Sequence, residues 1–372
     1  LPLEARRTWR YTPHISPNEH EFAFLYTGGT PLDEVCPEAI KSDFLKVSEK
    51  LKAYLRSFDI AKVSLDENCF YDLVPDRFLL QYFDLKNQIT QHVFENYDRP
   101  KNYDFLSDLD RLLSDISHQP LCLDKSACYN LYSAQGFRSL LKAIKANRTK
   151  VEYNIFGTRT GRLATTRTSF PILTIKKQFR QIIKPQNDCF VELDFNAAEL
   201  RTLLALSGKE QPEGDLHEWN CEHVYRGSTT REEAKKRIFA WLYNPDSTDY
   251  LSSRTYNRDE ILDKYWDGSV VTTPFGRTIP ADRHHALNYI VQSTASDLFL
   301  RRAIEVDKIL EKRQSRIAFF LHDSLVIDLS MGDISLLGDM VKTFSNTDMG
   351  EWKTNASVGD SFGHMKRLQW TQ

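Results

Sequence analysis

No apolar run in this chain approaches the ~18 residues of a membrane span, and its first thirty residues lack the charged start and apolar core of a signal peptide. The expectation is a cytoplasmic protein with no membrane partner. The six cysteines (Cys36, Cys69, Cys122, Cys128, Cys189, Cys221) form no C-x-x-C pair and have no matching histidine spacing, which excludes a zinc ribbon or a disulfide framework. They read as reduced core residues. Internal repeats and low-complexity segments are absent, and so is net charge: the formal value of -2 speaks by itself against a polyanion partner. The start at Leu1 rather than Met reads as a piece of a longer product.

What is present is an uneven distribution. The 372 residues are 41% hydrophobic, enough for two or three packing units with cores of their own. Between Lys142 and Lys184 there are eleven Lys or Arg against the single acid Glu152, interleaved with Gly, Thr and aromatic residues. A run of that kind is either a solvated face or a surface for nucleic acid. Residues 1–70 mix short apolar alternations (EFAFLY, AKVSL) with turn formers and read as a small α+β region of unknown role. At Val74-Pro75-Asp76 a long amphipathic helix opens, with Leu79, Tyr82, Phe83, Ile89 and Val93 at helical spacing, and Arg99-Pro100 ends it. Asp104 to Ile116 reads as a second helix.

Further on, CFVELDF alternates as a strand should and NAAELRTLLALSG follows as a helix closed by Gly208. Asp194 therefore ends a strand, with Glu199 in the first turn of the next helix. TTREEAKKRIFAWLY is another helix, capped by Thr230, on which Arg231, Lys235, Phe239 and Tyr243 recur every four residues along one side. VVTTPFGRTIP reads as a hairpin, and a helix runs from about Asp282 to Leu310. RIAFFL and SLVIDL are two strand patterns with His322-Asp323 at the turn between them.

If the strands ending in Asp194 and flanking Asp323 pair in one sheet, two carboxylates meet, and they repel unless a cation lies between them. Oxygen ligands with few other donors point to Mg²⁺, with Mn²⁺ able to substitute, and two such ions suit in-line phosphoryl transfer. Each aspartate taken singly is an ordinary turn former. Two cations one helical turn apart, with aromatic rings one and two turns on, suit a triphosphate followed by a nucleoside.

These segments, in this order, resemble the DNA polymerase I family, the family A DNA polymerases, over roughly residues 151–330. VELDFNAAELR is similar to its motif A, REEAKKRIFAWLY to motif B (R-x3-K-x3-F-x3-Y) and FLHDSLV to motif C. TRTGRLATTR resembles the T-G-R-L-S stretch, and TPFGRTIP with ALNYIVQSTASDL the F-G-R and N-x3-Q-x-T-A-x-D-L stretches. The resemblance implies an α+β right-hand polymerase fold with an antiparallel β-sheet palm (151–206 and 291–372), helical fingers (207–290) and a helical thumb (71–150). It implies a template-directed enzyme that adds dNTPs to a primer 3′ end on primer-template DNA, whatever accessory replication proteins assist it.

By the same resemblance Asp194, Asp323 and the backbone carbonyl of Phe195 hold two Mg²⁺ ions. Arg231, Lys235 and His217 bind the triphosphate. Glu199 is a steric gate against a ribose hydroxyl, and Phe239 packs on the sugar, where Phe rather than Tyr predicts discrimination against dideoxynucleotides. Tyr243 stacks at the templating position, Arg162 and Gln292 read the minor groove, Asn288 assists on the template side, His322 contacts the primer end, and Arg180 shares that surface. The chain also departs from the pattern. Ser324 stands where the motif C glutamate is usual, predicting altered metal or rate behaviour, and Asn244 replaces a glycine after motif B. The span from Tyr243 to Thr273 is short, predicting trimmed fingers, and no D-x-E or Y-x3-D exonuclease element precedes the thumb-like helices, predicting no proofreading in this chain. Compactness points to a viral or phage source, hence a bacterial host cytoplasm. A single-subunit phage-type RNA polymerase, a two-metal nuclease and a catalytically dead DNA-binding module are the alternatives.

Overall fold

The computed structural model describes residues 21–63, 65, 68–244 and 246–368. These fall into two compact units divided between Ser107 and Asp108.

The first unit is helical in every described element, so residues 21–63 show no strand where short strands were expected; residues 1–20 of that expected α+β region lie outside the described residues. Ala23–Tyr26, inside EFAFLY, winds as a single helical turn with Ala23 and Leu25 buried. AKVSL follows the end of a 23-residue helix, α1 (Glu38–Ile60), where Lys62 adopts a left-handed φ of 55° and the Val63 amide bonds back to the Phe58 carbonyl. The apolar residues read as strand alternation are thus a helix terminus and a capping turn. Helix α2 (Asp76–Asn96) forms where expected and buries Phe78, Leu79, Tyr82, Leu85, Ile89 and Val93 along one stripe, against which Phe44, Val47 and Leu51 of α1 are packed in one cluster. Phe83 lies beside this stripe rather than in it. Helix α3 (Tyr103–Ser117) spans the unit boundary.

The second unit is organised by a five-stranded sheet built from β1 (Cys189–Phe195), β2 (Arg316–Leu321), β3 (Ser324–Leu329), β4 (Thr354–Gly359) and β5 (Lys366–Arg367). Its strand order is β5-β4-β1-β3-β2 and every neighbour is antiparallel. The alternation in β1 turns Val191, Leu193 and Phe195 to one face, where Phe195 stacks on Phe344 (ring centroids 4.3 Å apart) and meets Trp352 edge-on. Phe344 lies on α7 (Leu337–Ser345). The other face carries Phe190, Glu192 and Asp194.

Helix α4 (Ala198–Leu206) follows β1 after Ala197, which takes a left-handed φ of 54° to turn the chain, and it ends as expected before Gly208. Helix α5 (Arg231–Tyr243) starts with a capping box in which Thr230 and Glu233 satisfy each other's backbone amides. Helix α6 (Arg283–Leu310) is 28 residues long, with its middle buried on nearly all sides. It packs against α4, α5, α7 and β2, joining the sheet to the helical region that surrounds α5. The hairpin Val270–Thr272 with Thr278–Pro280 forms as the sequence predicts. Among the described residues no helix is long and apolar enough to cross a membrane.

Candidate active site

Sheet register determines what stands at the end of β1. Asp194 pairs on one side with Asn355 of β4 and on the other with Ser324 of β3. The tight turn His322–Asp323 joins β2 to β3, with Leu321 paired to Ser324. His322 has a left-handed φ of 53°, uncommon for a residue with a Cβ, and is exposed at the tip. Asp323 is thereby brought next to Asp194. Burial pushes the Asp194 carboxyl up to about 7; the hydrogen bond from Asn355 (3.4 Å) opposes this, the charges of Glu192 and Asp323 add to it, and Lys235 again opposes it.

No cluster of three or more His, Cys, Asp or Glu side chains suited to a metal exists among the described residues. The hard oxygen donors brought together here are the carboxylates of Asp194 and Asp323, and a carboxyl held up by burial is one whose ionisation a divalent cation of the Mg²⁺ class would favour. The ring of Phe195, the residue after Asp194, is held between Phe344 and Trp352.

A second group of residues forms around the start of α5. Arg231 donates to Asp215 through Nη2 (2.8 Å) and Nε (3.3 Å). Asp215 also caps the short helix Leu216–Trp219 by accepting from the amides of His217 and Glu218. Asn196, two residues beyond Asp194, donates to Asp215 (3.0 Å) and accepts from the Leu216 amide (2.9 Å). Beneath it the fully buried Arg201 donates to the carbonyls of Asn196, Pro212 and Gly214. His217 is buried against Phe239 (ring centroids 6.0 Å apart), and burial lowers its pKa to about 4, so it is neutral at physiological pH. Its Nδ1 is buried without a hydrogen-bond partner. Lys235 is exposed, and its charge acts on both Asp194 and His217.

A third group centres on Glu199, which is 8% exposed. Arg162 donates to it (2.7 Å) and lies 3.9 Å from Asp323. The Tyr243 hydroxyl donates to the other Glu199 oxygen and also bonds Gln292. Phe239 stacks parallel to Tyr243 at 5.9 Å. Arg162, Glu199, Tyr243, Gln292 and Asp323 are therefore brought together from five separate sequence blocks.

Two expected residues lie further out. Asn288 lines a cleft of ≈ 270 Å³ with Tyr243, Arg283, His284 and His285, and its Oδ1 is buried without a partner. Arg180 stacks over the Phe362 ring at 4.9 Å, its guanidinium partly desolvated and near Glu192. Sequence reasoning missed Asn196, Arg201, Asp215 and Asn355. Only Asp215 carried a local signal, as an N-cap residue ahead of LHEW.

No family model matches the sequence, and no curated protein does. Among solved structures the chain is similar to the POL domain of Pol1 from M. smegmatis, solved in complex with DNA primer-template and dNTP. The TM-score is 0.59 at 15% identity, over 76% of this chain and 74% of that one. At this identity the likeness concerns architecture: the chain has the mixed helix and strand fold of a DNA polymerase domain.

Proposed function

We propose that the protein is a template-directed DNA polymerase of the family A type, which extends a primer 3′ end with dNTPs. The observation that carries this reading is the meeting of five sequence blocks at one end of the sheet, with Arg162 bridging Glu199 and Asp323. The solved neighbour binds primer-template and dNTP, in agreement with such a site. In this reading residues 151–206 and 291–372 are the palm, 207–290 the fingers and 71–150 the thumb.

Asp194, Asp323 and the Phe195 carbonyl would hold two Mg²⁺ ions, or Mn²⁺ in their place, supplying activation of the primer hydroxyl and charge neutralisation of the leaving pyrophosphate. The protein's own residues orient the reactants. Lys235 and Arg231 place positive charge where the triphosphate lies, and neutral His217 offers a ring N–H rather than a second cation. Glu199, fixed by Arg162 and Tyr243, fills the space a 2′-hydroxyl would need. Phe239 packs on the sugar and Tyr243 on the templating base, while Arg162 and Gln292 contact minor-groove acceptors common to all correct pairs. Asn288, His322 and Arg180 extend the surface along the DNA.

Primer extension tests the reading. Wild type should extend with dNTPs in preference to rNTPs. Asp323→Ala removes several kcal/mol of charge stabilisation and should lose on the order of 10³-fold in rate. Full-rate synthesis by Asp323→Ala would overturn the assignment of that carboxylate. Preferential rNTP use would indicate an RNA polymerase, and dNTP-independent degradation a nuclease.

A further inference from the structure

Three residues inside the quoted blocks have no role in the reaction as described: Gly161 of TRTGRLATTR, Arg277 of TPFGRTIP and Asp297 of ALNYIVQSTASDL. They meet at one point. Gly161 has φ +75°, and a Cβ built there would lie 2.5 Å from Arg277 Nη2 and 2.6 Å from its Cζ, so the guanidinium covers the glycine directly. Arg277 is held by Asp297 through two hydrogen bonds, Nη2 to Oδ1 at 2.7 Å and Nε to Oδ2 at 3.2 Å. The Asp297 side chain is 2% exposed, so the guanidinium cannot move aside without leaving a buried carboxylate unpaired. The neighbouring Ser296 donates its hydroxyl to the Gly161 carbonyl at 3.1 Å, also in a buried position. One turn of α6 thus fixes Gly161 from two directions.

The next residue is Arg162. Its carbonyl accepts from the Thr158 hydroxyl at 2.7 Å, and its guanidinium lies 2.7 Å from Glu199 and 3.9 Å from Asp323. A long, flexible side chain reaches a fixed point only if its root is fixed. We infer that the Arg277–Asp297 pair, with Ser296, is a positioning device that anchors Gly161 and so aims Arg162 at the primer-terminal base pair, making Arg277 and Asp297 determinants of mismatch discrimination. This rests on the polymerase reading above. It also accounts for the glycine: any side chain at position 161 would meet both the left-handed backbone and the guanidinium.

Arg277→Lys keeps the charge opposite Asp297 but loses the planar face against Gly161. Single-nucleotide addition to matched and mismatched primer ends would be compared for wild type, Arg277→Lys, Arg162→Ala and the double variant. Arg277→Lys should lower the matched-to-mismatched ratio about 10-fold, in the same direction as Arg162→Ala. In the Arg162→Ala background it should change that ratio no further. Ser296→Ala, which leaves the ion pair intact, should act in the same direction with a smaller effect. An unchanged ratio in a destabilised Arg277→Lys protein, or effects that simply multiply, would overturn the inference in favour of a purely structural ion pair.

A readout independent of synthesis separates this inference from the polymerase reading. The Arg162–Glu199 coupling, measured in thermal unfolding with Arg162→Ala, Glu199→Gln and the double variant, should fall to less than half when Arg277 is Lys. If the wild type extends no primer but the coupling falls, the positioning holds and the polymerase reading fails. If the coupling is intact, the positioning fails.

Discussion

Asp215→Asn separates a charge from a cap. Asparagine still accepts from the amides of His217 and Glu218, so the short helix keeps its start, but the negative charge facing Arg231 is removed. Burial alone would push the Asp215 carboxyl up; the Arg231 hydrogen bond, the Glu218 amide and Asn196 outweigh it and hold it down to about 2. A depression of nearly two units corresponds to about 2.5 kcal/mol. Because Arg231 is 40% exposed, solvent screening leaves about 1–2 kcal/mol for the pair. The melting temperature at pH 7 should fall by about 2–8 °C, at about 2–4 °C per kcal/mol for a unit of this size.

The sign follows from the depressed folded-state pKa. The contribution is complete above the unfolded value near 4 and is lost as pH falls toward about 2. The gap between wild type and Asn variant should therefore narrow from pH 5 downward and close only below about pH 2. There is also a kinetic consequence. Asp215 occupies the Nε and Nη2 edge of Arg231, the edge that would grip a phosphate, so the less stable variant should have a dNTP KM lowered about 3-fold or more. Melting curves across pH and single-nucleotide kinetics check both. A stability gap undiminished at pH 2 would refute the charge pairing, and a raised KM would refute the competition.

Two further outcomes are expected. Glu199→Ala should relax discrimination against rNTPs by about 10- to 200-fold while slowing dNTP addition, because Arg162 and Tyr243 lose their common acceptor; an unchanged rNTP-to-dNTP ratio would remove Glu199 as the gate. In the first unit, burial lowers Lys86 to about 7 within the stripe of α2, its ammonium 5.4 Å from the Tyr82 ring. The unfolded chain then binds more protons between pH 7 and pH 10, so stability should rise with pH through that window. Lys86→Met should flatten this rise, as denaturant titrations at pH 7 and pH 10 would report; a rise of the same size in the variant would contradict the assignment to Lys86.

The sequence reading succeeded where the determining interactions are local. β1 and α5 occupy the expected residues because period-two alternation and a Thr230 cap are written within a few positions. The reading failed in residues 21–63, where alternations only a few residues long fit a helical turn as well as a strand. Contacts between blocks were illegible for a different reason. Asn196 meets Asp215, Arg231 meets Asp215, and Arg277 meets Asp297 only because helices between them bring distant positions together. No periodicity within one segment encodes which charge on another will face it.

Ser324 shows how register changes the meaning of a residue that a motif resemblance presents only as a departure. In the family A reading it stands where a glutamate is usual. In the sheet it lies directly opposite Asp194, is 5% exposed, and donates its hydroxyl to the Leu321 carbonyl at 3.0 Å, closing the turn that presents Asp323. A glutamate at this buried position would add a third negative charge beside Asp194, whose carboxyl burial and the charges of Glu192 and Asp323 already push up to about 7. It would also lose the hydroxyl bond across the turn, at a tip where His322 holds a left-handed backbone. Serine therefore exchanges a charge for turn rigidity, and the geometry of Asp323 depends on a hydrogen bond that the motif alone does not contain.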